Sequence, residues 1–290
     1  MHKSGFVNIL GNPNVGKSTL MNSMVGRKLS IVSPKVQTTR HRIMGILNGE
    51  DYQIVYSDTP GIIKPRYKLH EAMMKSVRSA LTDADIIMFV TDVVERVDGE
   101  NEIIKRIKES DIPVIIVINK IDLSSQPEVE VLSIKWKEWF PDSPVVPVSA
   151  ITGFNLDTLL NTILDLLPEG PPYFPKDQVT NRIERFFASE IIREKIFLNY
   201  RNEIPYSTEV EIESFNDLEN LSKIKAVIHV TRESQKGIII GHQGKMLKKI
   251  GTEARKEMEE FFGRKIYLEL YVKVSKEWRD NPAMLKRFGY

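Results

Sequence analysis

The residues best suited to chemistry lie close behind the N-terminus. Gly11-Asn12-Pro13-Asn14-Val15-Gly16-Lys17-Ser18 matches G-x-x-x-x-G-K-[ST]. An apolar run, Phe6 to Leu10, precedes it, and Thr19 to Val25 opens a helical pattern. A strand, a glycine-bounded loop and a helix N-terminus make a cradle for phosphate, with backbone N–H groups pointing inward. Lys17 adds a positive charge for the terminal phosphates, and the Ser18 hydroxyl suits Mg²⁺, which takes oxygen ligands. Asn12, Asn14, Val15, Gly16 and Thr19 complete the expected cradle.

Two more motifs stand at strand ends. Asp58-Thr59-Pro60-Gly61 closes the run Tyr52–Ser57. A carboxylate there can hold Mg²⁺ through a water, and Gly61 lets its N–H approach a γ-phosphate. Asn119-Lys120-Ile121-Asp122 follows the run Pro113–Ile118. The Asp122 carboxylate can accept from guanine N1–H and the exocyclic NH₂, a donor pair that adenine lacks. Polar matching of this kind discriminates by about 10⁴–10⁵. Asn119 braces that loop, the Lys120 stem lies across the base, and Ser149-Ala150 brings a backbone N–H to the guanine O6. The expected substrate is GTP.

These motifs need elements to hold them. Phe6–Leu10, Tyr52–Ser57, Asp85–Val90, Pro113–Asn119 and Val145–Val148 read as buried strands. Helical patterns, such as Glu100–Ser110 and Leu156–Leu167, lie between most of them. Alternating strands and helices predict an α/β unit with a mainly parallel sheet between helices. Pro168-Glu169-Gly170-Pro171-Pro172-Tyr173-Phe174-Pro175 then breaks the pattern and reads as a linker. The expected organisation is a nucleotide unit over 1–168, a linker over 169–180 and a second unit over 181–290.

The second unit has a different rhythm. A helical stretch, Asn181–Leu198, precedes three strands of strict period two: one around Val210 and Ile212, one from Ile224 to Val230, one from Ile266 to Val274. A helical region, 236–262, separates the last two, so the order is α-β-β-α-α-β. Inside that region Gly241-His242-Gln243-Gly244 forms a G-x-x-G turn followed by Lys245. Such a turn lets backbone meet a sugar-phosphate chain, and the next helix N-terminus favours phosphate. From Lys223 to Lys256 nine Lys/Arg face two acids, a local charge of about +7. Lys248 and Lys249 extend the basic lip, and Ile238 to Ile240 with the second strand are the expected groove walls. Single-stranded RNA is the expected ligand.

Bulk composition sets outer limits. The 290 residues are 41% hydrophobic and 28% charged, enough for two cores. The net charge of +2 carries no partner information by itself. The absence of cysteine excludes disulfides, thiolate metal sites and cysteine nucleophiles, and five scattered histidines show no metal-ligand spacing. No signal peptide or membrane-spanning run is read, so a cytoplasmic protein is expected, with peripheral membrane contact left open; a monomer is a separate expectation that these features do not decide.

The four nucleotide motifs, in this order, resemble the translation-factor-like (TRAFAC) GTPases over about residues 5–168. That resemblance implies a mobile segment whose threonine completes the Mg²⁺ shell. Gln37-Thr38-Thr39-Arg40-His41-Arg42 stands in its place, with Thr39 preferred and Thr38 the alternative. Lys17, Thr39, Gly61 and Asn14 are the implied catalytic set. Ile62 stands where Ras-like enzymes keep the glutamine that orients water, which implies slow intrinsic hydrolysis. Asn14 matches an asparagine that in some relatives helps to bind K⁺. The second unit resembles a type II K-homology (KH) domain, an α+β fold that clamps about four nucleotides. The whole chain resembles a bacterial GTPase family ending in such a domain. The resemblance implies binding to the 3′ end of small-subunit ribosomal RNA on the 30S subunit, RNA-stimulated hydrolysis and a role in assembling that subunit. His242-Gln243 departs from a more basic pair in relatives, which implies slightly weaker phosphate affinity.

Overall fold

The computed structural model describes residues 1–95 and 102–290. The chain divides into two compact units: residues 1–65 with 73–181, and residues 66–72 with 182–290.

The first unit is built on a six-stranded sheet. In chain order its elements are β1 (Lys3–Leu10), α1 (Lys17–Val25), β2 (Ile43–Asn48), β3 (Tyr52–Asp58), α2 (Lys68–Thr82), β4 (Ile86–Asp92), α3 (Glu102–Lys108), β5 (Val114–Asn119), α4 (Gln126–Trp139), β6 (Val145–Pro147) and α5 (Leu156–Leu166). Helix α2 begins among the residues grouped with the second unit. The strand order is β2-β3-β1-β4-β5-β6. All pairings are parallel except β2 with β3. Every residue of β4 and β5 is buried, as expected of parallel strands covered on both faces. The phosphate, Asp58 and Asn119 motifs all follow C-terminal strand ends, so parallel pairing brings them to one edge of the sheet.

Three sequence expectations change here. Strand β2 was not foreseen: Ile43 to Asn48 directly follows the polar segment and contains Gly45, so no clear period announces it. The helix expected over 100–110 runs from Glu102 to Lys108, and positions 100 and 101 lie outside the described residues. The proline-rich segment belongs to the first unit, whose boundary falls at 181/182 rather than 168. Proline nitrogens carry no hydrogen to donate, so side chains and scattered amides dock this segment. Gln53 Oε1 accepts from Tyr173 and Phe174 N–H at 2.7 and 2.9 Å, and Gln53 Nε2 donates to Phe174 O at 2.8 Å. Ile46 N–H donates to Val179 O at 2.9 Å, and Thr180 Oγ1 donates to Met44 O at 2.7 Å. The free edge of β2 is thereby covered.

The second unit runs α6 (Glu184–Asn199), α7 (Ile204–Ser207), β7 (Glu209–Leu218), β8 (Leu221–Val230), α8 (Glu233–Ile240), α9 (Lys245–Phe262), β9 (Lys265–Val274) and α10 (Pro282–Arg287). Its sheet order is β7-β8-β9, with β7 antiparallel and β9 parallel to β8. Alternate residues of β8, from Ile224 to Val230, meet Ile192, Ile196, Ile250, Ala254 and Met258 from the helices in one core. Each Ile, Val or Met side chain among them contributes about 1.5–3 kcal/mol on burial. Because β8 is central, both its edges are paired. The second strand, the expected groove wall, is thus the middle strand of the sheet, with β7 and β9 on its two sides. Strand β9, one of the two edge strands, packs against α8, and its Leu268, Leu270 and Val272 are only partly buried. Ile239 is core rather than groove, fully buried with its carbonyl accepting from Tyr200 OH at 2.6 Å.

Candidate functional site

The loop between β1 and α1 surrounds the head group of Lys17. Its Nζ donates to Gly11 O at 3.0 Å and Asn12 O at 2.8 Å, and the side chain is buried. Burial lowers its pKa to about 8, against the opposing pull of Asp58 and Glu95. Gly16 has φ 95°, and a Cβ there would stand 2.2 Å from Asn119 Nδ2, so only glycine fits. The start of α1 borders a cavity of 470 Å³ lined by Pro13, Lys17, Ser18, Thr39 and Gly61, among others.

Ser18, Thr39 and Asp58 form a set of oxygens beside Lys17. Ser18 Oγ donates to Asp58 Oδ2 at 2.6 Å and lies 2.8 Å from Thr39 Oγ1, which is itself 3.3 Å from Asp58 Oδ2. Thr38 points elsewhere, its hydroxyl donating to Lys35 O at 2.5 Å. Asp58 Oδ1 is buried without a hydrogen-bond partner. Burial raises the Asp58 pKa, while Ser18, Lys17, Ser30 and Thr39 pull the other way. Two hydroxyls and an orphaned carboxylate oxygen fit a hard divalent cation completed by phosphate and water. Among the described residues no three His, Cys, Asp or Glu side chains cluster for a metal, so this oxygen set is of a different kind.

The base-reading residues gather at the ends of β5 and β6. Asn119 Nδ2 donates to Val15 O at 2.9 Å and its Oδ1 accepts from Ala150 N–H at 3.0 Å, fastening three loops together. Ser149 Oγ donates to Asp122 Oδ1 at 2.5 Å, aiming an exposed carboxylate. Ser149 N–H is given to Phe154 O at 3.2 Å. Both amides assigned to guanine O6 are thus already engaged, and an O6 contact at Ala150 has to share its N–H with Asn119. Asn14 sits at φ 67° and donates from Nδ2 to Pro34 O at 2.9 Å, tying the phosphate loop to the segment before Thr39. Ile62 donates its N–H to Gly11 O at 3.2 Å, and its side chain offers no polar atom to orient water.

In the second unit α8 ends at Gly241, a short turn covers His242 to Gly244, and α9 starts at Lys245. Gly241, Gln243 and Gly244 all have positive φ. A Cβ on Gly244 would meet nothing within 4 Å, so its glycine serves backbone conformation and leaves the approach open. His242, Gln243, Lys245, Lys248 and Lys249 are exposed around the turn, with Ile238 exposed and Ile240 half-buried beside it.

Comparison with known proteins agrees with both halves. A family model described as 50S ribosome-binding GTPase matches residues 6–120, and a KH domain model matches residues 203–279. The GTPase Era of Syntrophus aciditrophicus is 46% identical over 293 residues, covering 100% of this chain and 96% of that protein. The GTPase Era of Geotalea daltonii is 47% identical, covering 99% and 97%. The chain belongs to the GTPase Era family. It is a GTP-hydrolysing P-loop GTPase with a C-terminal KH domain. A crystal structure of Era in complex with MgGDPNP and nucleotides 1506–1542 of 16S ribosomal RNA superposes with a TM-score of 0.96. It is 43% identical and covers 100% of this chain and 99% of that one. An Aquifex aeolicus Era variant bound to GDP·AlF4⁻ gives 0.96 at 44% identity, covering 99% of each chain.

Other residues of this Era-family site escaped sequence reasoning. Asn22 holds the start of the segment before Thr39: its Oδ1 accepts from Leu29 and Ser30 N–H at 2.9 and 3.0 Å. Arg42 holds its end through Asp83, Asn8 and Ser57. Asn22 belongs to no motif, and Arg42, although it closes the Gln37–Arg42 string, has no spacing signal that marks this bracing role. Among the described residues of this Era-family chain, no helix is long and apolar enough to cross a membrane.

Proposed function

We propose that this GTPase is an RNA-responsive switch that binds the 3′ end of small-subunit ribosomal RNA and assists assembly of that subunit. One observation carries this reading: a phosphate loop, a guanine loop and a G-x-x-G turn share a chain that matches, end to end, an Era structure holding MgGDPNP and 16S nucleotides 1506–1542. In the proposed roles Lys17 and the loop amides hold the phosphates, and Ser18, Thr39 and Asp58 hold Mg²⁺. Asp122 with Ser149 and Ala150 reads guanine. The turn 241–244 with Ile238, Ile240, Lys245, Lys248 and Lys249 holds the RNA backbone. A bound Mg²⁺ would neutralise charge developing on the phosphates. Ile62 orients no water, so charge must come from elsewhere. Asn14, whose Nδ2 donates to the Pro34 carbonyl, is the proposed anchor for K⁺.

Single-turnover GTP hydrolysis, with and without a 3′-terminal 16S oligonucleotide, tests the reading in K⁺ and in Na⁺ buffers. The expected result is acceleration by the oligonucleotide and by K⁺, with the K⁺ effect lost in Asn14→Ala. Turnover indifferent to RNA would defeat the switch, and equal rates in the two salts would defeat the K⁺ role alone.

A further inference from the structure

Asp92 belongs to none of the nucleotide motifs, yet it is tied into the base site. It ends β4, paired with Asn119 in the β4–β5 register. Its side chain is only 6% exposed. A buried carboxylate is unfavourable unless paired and hydrogen-bonded, and both oxygens of this one are committed. Oδ1 accepts from Val94 and Glu95 N–H at 2.9 and 2.8 Å. Oδ2 accepts from Lys120 Nζ at 2.6 Å, and the same ammonium donates to Asn14 O at 2.5 Å.

Lysine has a long flexible stem, and its placement is ordinarily loose. Here both ends are fixed. The backbone of Lys120 is set by β5 and by a left-handed φ of 62°, and the ammonium is held by Asp92 and the phosphate loop. Lys120 lines the nucleotide cavity together with Gly16 and Leu123, and its Cε would lie 3.9 Å from a Cβ on Gly16. Long cationic side chains present such stems as apolar surface while their charge is satisfied elsewhere.

We propose that Asp92 is a positioning residue for the purine: it anchors the Lys120 ammonium so that the stem forms a fixed apolar wall against the base, while touching no nucleotide atom itself. The inference rests on reading residues 119–122 as the guanine loop. An apolar wall is indifferent to exocyclic groups, which Asp122 reads. Loss of Asp92 therefore weakens guanosine and inosine nucleotides by the same factor.

Titration calorimetry on the full chain tests this with GDP and inosine diphosphate, using D92A, D92N, K120M and the D92A/K120M double variant. D92A is expected to weaken GDP about tenfold, a loss typical of one charge-assisted contact. The GDP-to-inosine ratio stays as in the wild type, and D92A adds no further loss in the K120M background. D92N, which keeps an acceptor for Val94 and Glu95, falls between wild type and D92A and serves where D92A fails to fold. Equal losses from D92A with and without Lys120 would assign Asp92 to the 94–95 turn alone and overturn the proposal, as would wild-type affinity in D92N and D92A. K120M with unchanged GDP affinity also removes it, and identifies the guanine-loop reading as the fault.

Discussion

The two ligand-facing regions follow opposite plans. Around the phosphate loop, functional side chains are largely buried and cross-tied: Lys17 to two carbonyls, Asp58 to Ser18 and Thr39, Asn119 to Val15 and Ala150. Around the G-x-x-G turn the polar side chains are exposed, and the Lys249–Glu253 ion pair is long at 3.8 Å. A small ligand of fixed shape rewards donors set in advance within a low-dielectric pocket. A polymer with a charge on every nucleotide is held by backbone contact and a positive field, which salt screens. The first region should lose function sharply on single substitutions, and the second gradually.

The largest effect expected from that contrast is at Asp122. Asp122→Asn exchanges two acceptors for an acceptor and a donor, so the preference for guanine over xanthine nucleotides should fall by about 10⁴. Competition binding with both nucleotides measures it, and an unchanged preference would remove Asp122 from base recognition. The gradual region predicts a smaller and differently shaped loss. Lys248→Glu with Lys249→Glu should weaken RNA binding about thirtyfold and lower the salt slope by about one per lysine, leaving GDP affinity as it was. Filter binding across a salt series checks it, and a loss without a change of slope would contradict phosphate contact.

The smallest effect concerns protons. Burial holds the Lys17 pKa near 8 in the nucleotide-free protein, and bound phosphate raises it. Binding therefore takes up a proton above pH 8, so affinity declines as pH rises. About threefold to tenfold weaker GDP binding is expected at pH 9 than at pH 7.5. Calorimetry in buffers of different ionisation enthalpy reports the proton uptake directly. Affinity that stays level across this range would mean that Lys17 is protonated throughout.

Legibility followed the same division. Gly16, Lys17, Asp58, Asn119 and Asp122 were readable because phosphate and guanine demand particular residue types at fixed offsets from strand ends. The G-x-x-G turn was readable through its two glycines and the basic run behind it. Strand β2 was not, because its short apolar stretch has no period of its own and pairs only because β3 offers an edge. The order of strands in the second sheet is not readable, because alternation shows which residues share a face of a strand, not which strand lies at the edge of the sheet.

By itself the sequence determined which chemistry the chain carries and in what order, since motif spacing and hydrophobic period are local properties of the chain. The tertiary structure alone decided the rest. It sent Thr39 rather than Thr38 to the Ser18–Asp58 oxygens, put β8 between β7 and β9, docked the proline-rich segment along β2 and β3, and brought Asp92 to Lys120. These are pairings between residues distant in sequence. The physical partner of a buried charge or an open strand edge is fixed only when packing removes the alternatives.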